Sequence, residues 1–283
     1  MRWKDSDYDA LNMSAPIYHD AHEDLAYQDP AFHEDLVPGD PAGRREVNPA
    51  GAAGFQLWFA SPQALCHFDP AMLSAADRHR FDAIRNPQRR EEFSVSRTLL
   101  AHVAVPAASA WSLSHSNGHA ALASSRAGWA AGWAVGVDLE QHRPRNVASI
   151  ARFAFSERES TRLLALADSQ RERLFYSLWV MKEALAKALQ LPLLEALRSC
   201  AFDPQGGSWS AAIPTQRCWS VMAFEPRPKM SLAIACVGDE GKDLPCPGIE
   251  TREWPTVPLA RCRPAQWPCV AAIASANRSF PAT

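Results

Sequence analysis

The hexapeptide Val135-Gly136-Val137-Asp138-Leu139-Glu140 constrains this chain more than any other stretch. Val135, Val137 and Leu139 alternate with Gly136, Asp138 and Glu140, which is the period of a β-strand. Side chains alternate faces along a strand, so Asp138 and Glu140 share one face, with Cα atoms about 6.5–7 Å apart. Two carboxylates on one face repel each other unless a cation or a shared proton lies between them. Oxygen ligands of like charge with room for water suit Mg²⁺, which is commonly held by one or two carboxylates plus substrate phosphates. The competing reading is an edge strand whose polar face is simply wet. The hexapeptide alone does not separate the two.

Downstream, Gln141 to Asn146 reads as a polar loop. Ser156 and Glu159 form a capping-box pair that opens a helix to about Ala167. A longer helix runs from about Gln170 to Gln190 and stops before Pro192. Leu174, Phe175, Leu178, Met181, Leu185 and Leu189 recur on it at helical spacing. Trp179, Glu183 and Lys187 make a second stripe at i, i+4, i+8. Glu183 and Lys187 alone would be a surface ion pair worth about 0.3–0.5 kcal/mol.

Upstream, Phe55 to Phe59 reads as a strand. Helices follow over Ala75–Ile84 and Pro87–Val103, carrying Arg78, Arg80, Arg85, Arg89, Arg90 and Arg97. These arginines are either a solvated face or a wall for phosphate, whose oxygens match the guanidinium fork. Trp111 to Ser116, Asn117-Gly118 and Ala120 to Ser124 read as a β-hairpin. Ser114 and His115 are adjacent on a strand and face opposite ways, so they do not form a nucleophile–base pair. Strand-like runs at Trp219–Phe224 and Met230–Val237 complete a sheet.

Charge divides the chain. Residues 1–50 hold eleven acids and four bases, a net −7, and the remainder is +5. A mildly basic folded part suits an anionic ligand or an acidic partner. The acidic, proline-broken segment 1–50 and the proline-rich segment 239–283 are both expected to be disordered tails. Seven cysteines, odd in number and without a C-x-x-C spacing, signal neither a zinc site nor a disulfide framework. No signal sequence and no apolar run of membrane-spanning length is present, so a cytoplasmic location with no membrane partner is expected. Basic residues lack interleaved aromatics, which argues against nucleic acid.

Four elements stand in one order: Arg97-Thr98-Leu99-Leu100, Ser114-His115-Ser116, Gly136-Val137-Asp138-Leu139-Glu140, and Trp179-x-x-Lys182-Glu183-Ala184-x-x-Lys187. Together they resemble the 4′-phosphopantetheinyl transferase superfamily, in its longer, Sfp-type branch, over about residues 55–238. Phe155-Ser156-x-x-Glu159 resembles the family's stretch between the last two motifs. The resemblance implies an α+β fold of two pseudo-symmetric lobes, each a small antiparallel sheet packed with helices, here 51–134 and 135–238.

It also implies roles. Asp138, Glu140 and Glu183 would hold Mg²⁺ against the pyrophosphate of coenzyme A. Ser114 and His115 would contact the nucleotide, with Arg97 and Thr98 on the first-lobe side. Lys182 and Lys187 would neutralise phosphate charge. Glu183, Lys187 and Asp138 would be the catalytic residues. The reaction would move the phosphopantetheine arm to a serine of an acyl, peptidyl or aryl carrier protein and release 3′,5′-ADP, as holo-acyl-carrier-protein synthases do in fatty acid, polyketide or nonribosomal peptide synthesis. A monomer is expected, with a carrier-docking surface around Gln141 to Phe155.

Two departures from the family pattern bear on coenzyme A. Only 13 residues separate Leu100 from Ser114, and the family's Gly-Lys-Pro loop has no counterpart there. Asp77, at a family site often basic, has the opposite sign, and Arg85, Arg89 and Arg90 are candidates to compensate. The alternative reading is therefore a catalytically impaired relative that binds carrier proteins on the same fold.

Overall fold

A computed structural model describes residues 54–106, 109–125, 132–205, 208–240, 249–256, 261–264 and 267–274. The segment 1–50 lies outside the described residues. The first lobe begins with β1 (Phe55–Ala60), then α1 (Ala75–Ala83) and α2 (Pro87–Val103). Ser74 and Asn86 cap these helices through their side chains, and Pro87 occupies the first turn, where its missing N–H has no cost. The hairpin β2 (Trp111–Ser116) and β3 (His119–Ser125) follows. Asn117 and Gly118 both have positive φ, as a two-residue hairpin turn requires.

The second lobe holds β4 (Trp133–Gln141), α3 (Val147–Ala154), α4 (Glu157–Leu164), α5 (Asp168–Leu189) and α6 (Leu193–Ser199). After them come β5 (Ala201–Gln205), β6 (Ser208–Ala212), β7 (Arg217–Arg227) and β8 (Met230–Glu240). The capping box at Ser156 and Glu159 is formed on both sides. The expected loop ends at Asn146, whose side chain caps the additional helix α3.

The α+β class with small sheets packed by helices holds, with three corrections. First, part of the expected C-terminal tail is folded. β9 (Ile249–Thr256) and β10 (Arg261–Pro264) extend the first sheet to the order β10-β9-β1-β3-β2, and β11 (Cys269–Ala274) extends the second to β11-β7-β8-β4. The prolines do not forbid this. The β1–β9 ladder ends at Ala60–Trp254, and the β9–β10 register slips between Arg261 and Arg263, so Pro255 falls at a bulge. Second, β1 and β9 run parallel, so the first sheet is mixed rather than purely antiparallel. Third, the two lobes share a core. Phe55, Leu57 and Phe59 of β1 pack with Val135, Val137 and Leu139 of β4 and with Leu232 and Ile234 of β8.

The layers are then α2, first sheet, second sheet and α5. Trp58, Leu113, Leu122 and Trp254 face Val95 and Leu99 of α2. The opposite face of the second sheet packs against Phe175, Trp179 and Leu185 among other residues of the helices. Among the described residues the cysteines are free thiols, with Cys200 and Cys236 buried and Cys66 and Cys269 exposed. No helix among the described residues is long and apolar enough to cross a membrane.

Candidate active site

β4 and α5 meet so closely that a side chain is excluded between them. A Cβ added at Gly136 would lie 2.0 Å from the Ala184 carbonyl oxygen and 2.7 Å from the Ala188 nitrogen. Gly136, Ala184 and Ala188 thus let a strand backbone rest on a helix backbone. That approach carries Asp138 and Glu140, on the same strand face as Gly136, toward Glu183 and Lys187 of α5.

One carboxylate oxygen from each of Asp138, Glu140 and Glu183 lies within 4.8 Å of the others, and all three residues are buried. Lys187 Nζ donates to Asp138 Oδ1 at 3.1 Å and to the Val137 carbonyl at 3.0 Å. Ser114 Oγ donates to the same Asp138 Oδ1 at 3.0 Å. Asp138 Oδ2 is buried with no hydrogen-bond partner. Arg145 flanks Glu140 at 3.7 Å and its guanidinium lies over the Tyr176 ring.

Burial pushes Glu140 up to about 7, against the pull of Arg145 and with further push from Asp138. Burial likewise raises Glu183 well above the carboxylate range, the Asp138 charge adding to it and Lys187 opposing it. Three buried acids facing one point are mutually destabilising as anions, which raises the proton affinity of Glu140 and Glu183. A divalent cation at that point removes the conflict. Three carboxylate oxygens within 4.8 Å of one another would together hold a hard divalent cation that prefers oxygen ligands. The all-oxygen donor set and the orphaned Asp138 Oδ2 therefore fit Mg²⁺.

Other expected site residues stand elsewhere. Lys182 is corrected outright. It is fully buried, its ammonium donating to Glu159 at 2.8 Å and to the Leu197 carbonyl at 2.6 Å, with the Phe155 ring 4.8 Å away. Glu159 in turn accepts from the Phe202 and Ser156 backbone N–H groups. Lys182 is adjacent to Glu183 in sequence, but one residue on a helix is a rotation of about 100°, and that rotation turns it to α4 and α6. Thr98 is 2% exposed and its hydroxyl donates to the Ser94 carbonyl.

Arg97 is buried too. It donates to Asp77 at 3.0 Å and lies over the Phe93 ring. Asp77, the residue of unexpected sign, is its partner. His115 faces α2, 3.8 Å from Glu92, on the side of β2 opposite Ser114. Ser114 touches Asp138. Arg90 donates to the Ile84 carbonyl and lies over Phe81, holding the α1–α2 turn. Arg145 is the site neighbour that motif reading passed over, because it follows Pro144 in what reads as a loop.

The family model described as the 4′-phosphopantetheinyl transferase superfamily matches residues 134–237, which span β4, α5 and the three carboxylates. Among curated proteins, the 4′-phosphopantetheinyl transferase HetI of Nostoc sp. (strain PCC 7120) is 32% identical over 107 residues, 37% of this chain and 44% of that protein. The chain thus matches under half the length of this relative. Two solved structures are similar more loosely. A holo-(acyl-carrier-protein) synthase from Bacillus anthracis in complex with CoA (3′,5′-ADP) aligns with a TM-score of 0.32 and 13% identity, covering 38% of this chain and 96% of that one. The holo-[acyl-carrier-protein] synthase of Thermotoga maritima aligns with a TM-score of 0.28 and 16% identity, covering 38% and 65%.

Proposed function

We propose that this protein is a 4′-phosphopantetheinyl transferase, moving the phosphopantetheine arm of coenzyme A to a serine of an acyl, peptidyl or aryl carrier protein with Mg²⁺ and releasing 3′,5′-ADP. The observation that carries the reading is the convergence of Asp138, Glu140 and Glu183 in a segment that matches the superfamily. Asp138, Glu140 and Glu183 are the residues that would hold the ion. Bound there, Mg²⁺ supplies Lewis-acid neutralisation of pyrophosphate charge. In phosphate-centred transfer the protein mainly positions reactants and offsets negative charge. Lys187 contributes a cation beside Asp138, and Arg145 one beside Glu140. Glu183, once deprotonated, is the group to accept the proton of the incoming serine hydroxyl. The nucleophile belongs to the partner, so none is needed in the chain.

The test is mass spectrometry of apo carrier proteins incubated with the protein, coenzyme A and Mg²⁺. The phosphopantetheine mass addition appears with wild type and disappears with Asp138→Ala. No addition across acyl, peptidyl and aryl carriers would refute the transferase reading. Two observations favour the second reading, a carrier-binding relative with weak coenzyme A affinity: Asp77 neutralises Arg97, and Lys182 pairs with Glu159 away from the three carboxylates. Calorimetry with coenzyme A separates the two, since the second reading requires carrier binding without measurable cofactor binding.

A further inference from the structure

β2 and β4 are edge strands of different sheets, and no backbone ladder joins them. Buried edge N–H groups need partners. Those of β4 find them in a row of serine hydroxyls. Ser112 Oγ accepts from the Val137 N–H at 3.1 Å, Ser114 Oγ from Leu139 at 3.2 Å and Ser116 Oγ from Gln141 at 3.1 Å. Each step advances two residues on both strands, so the pair runs parallel with a side chain interposed at every rung. Strand alternation explains the choice of residues. Leu113 and His115 face α2, and the three serines face β4.

Ser114 differs from the other two. Its oxygen accepts from Leu139, and its own proton goes to Asp138 Oδ1. With Lys187 on the same oxygen, Oδ1 is fixed by two donors, and the orphaned Oδ2 would be the atom to meet a cation. We propose that the Ser112–Ser114–Ser116 row is a hydroxyl ladder that fastens the carboxylate strand to the first lobe, and that Ser114 is a positioning residue for Asp138. The second half rests on the ion site proposed above. The first half does not.

The test uses Ser112→Ala, Ser114→Ala, Ser116→Ala and Ser114→Thr in the full chain, with two readouts. Amide hydrogen exchange reads the ladder, each alanine speeding exchange at its own partner: Val137, Leu139 or Gln141. Unchanged exchange at all three amides would overturn the ladder. Mg²⁺ calorimetry reads the positioning role. Losing a hydrogen-bond partner of a metal ligand commonly weakens the ion about tenfold or more, so Ser114→Ala is expected to do so while the Ser112 and Ser116 variants stay within about twofold of wild type. Ser114→Thr, which keeps the hydroxyl, restores binding. Wild-type affinity in Ser114→Ala, or no restoration by threonine, would overturn the positioning role. A wild-type protein that binds no Mg²⁺ would remove the proposed function and the positioning role together, while the exchange readout still decides the ladder.

Discussion

Gly136→Ala isolates the contact on which the site depends. In an ordinary strand interior, alanine is favoured over glycine by about 0.5–1 kcal/mol, because glycine loses more chain freedom on folding. Gly136 is not among the residues of positive φ, so its backbone demands no glycine. Any loss on substitution must come from the new methyl group. That methyl group would sit 2.0 Å from one backbone atom of α5 and 2.7 Å from another, where ordinary contact begins near 3.4 Å. Relief requires β4 and α5 to part by more than 1 Å, since neither partner atom belongs to a movable side chain (an estimate from close-packing distances of about 3.4 Å). Overpacking in a closed core costs about 1–3 kcal/mol and sometimes more, which exceeds the chain-entropy gain. A chain of this size would lose about 2–4 °C in Tm per kcal/mol, so a fall of roughly 3–10 °C is expected. Mg²⁺ affinity should fall with it, because parting β4 from α5 draws Asp138 and Glu140 away from Glu183. Differential scanning calorimetry and ion titration on the same variant read both effects. A Gly136→Ala protein at least as stable as wild type with unchanged ion affinity would refute the close-contact argument.

Three further outcomes follow from the geometry. Removing one member of the buried Lys182–Glu159 pair, as in Lys182→Met, leaves a buried charge unpaired and is expected to cost about 3–5 kcal/mol in chemical denaturation; Lys182→Met with Glu159→Gln, which removes that charge and keeps an acceptor for the Phe202 and Ser156 N–H groups, should recover part of it, and equal losses in single and double variants would contradict the pairing. Trp254 is buried against α2, stacked 4.2 Å from His102, so Trp254→Ala is expected to cost about 3–5 kcal/mol, and a neutral substitution would show that β9 is not part of the core. Glu140, raised to about 7, favours the fold in its neutral form, so its contribution to the ion-free protein is complete below its ordinary value near 4.5 and is lost as pH rises through about 7. Ion-free wild type should therefore lose stability relative to Glu140→Gln between pH 5 and 8 (a window set by the shift toward about 7), and Mg²⁺ binding should tighten over the same range; opposite slopes would contradict the raised value.

Much of the second lobe was legible because its signals are local. The period of two in Val135 to Glu140 gave β4, the Ser156–Glu159 pair gave the start of α4, and the apolar spacing from Leu174 to Leu189 gave α5. The grouping of the three acids was legible because strand alternation pairs two of them and the resemblance of Trp179 to Lys187 to a superfamily motif points to the third. Lys182 was misread because a charged residue beside a site residue reads as part of the site, and only the helix rotation shows that its partner is Glu159. Arg97 and Thr98 have partners, Asp77 and the Ser94 carbonyl, that motif spacing does not encode. The serines of β2 were visible as a Ser-x-Ser-x-Ser alternation, but their partners are backbone groups of another sheet, which no side-chain pattern announces. The C-terminal strands were missed because prolines were counted without regard to register, and Pro255 falls where the β9–β10 ladder is already interrupted.

Asp138, Glu140 and Glu183 are expected to enclose one divalent ion. Titration of the ion-free protein with Mn²⁺, followed by electron paramagnetic resonance, tests it most directly. A single saturable site per chain is expected, competed by Mg²⁺ and lost in both Asp138→Ala and Glu183→Gln. A wild type with no saturable site, or variants that bind as wild type does, would contradict it.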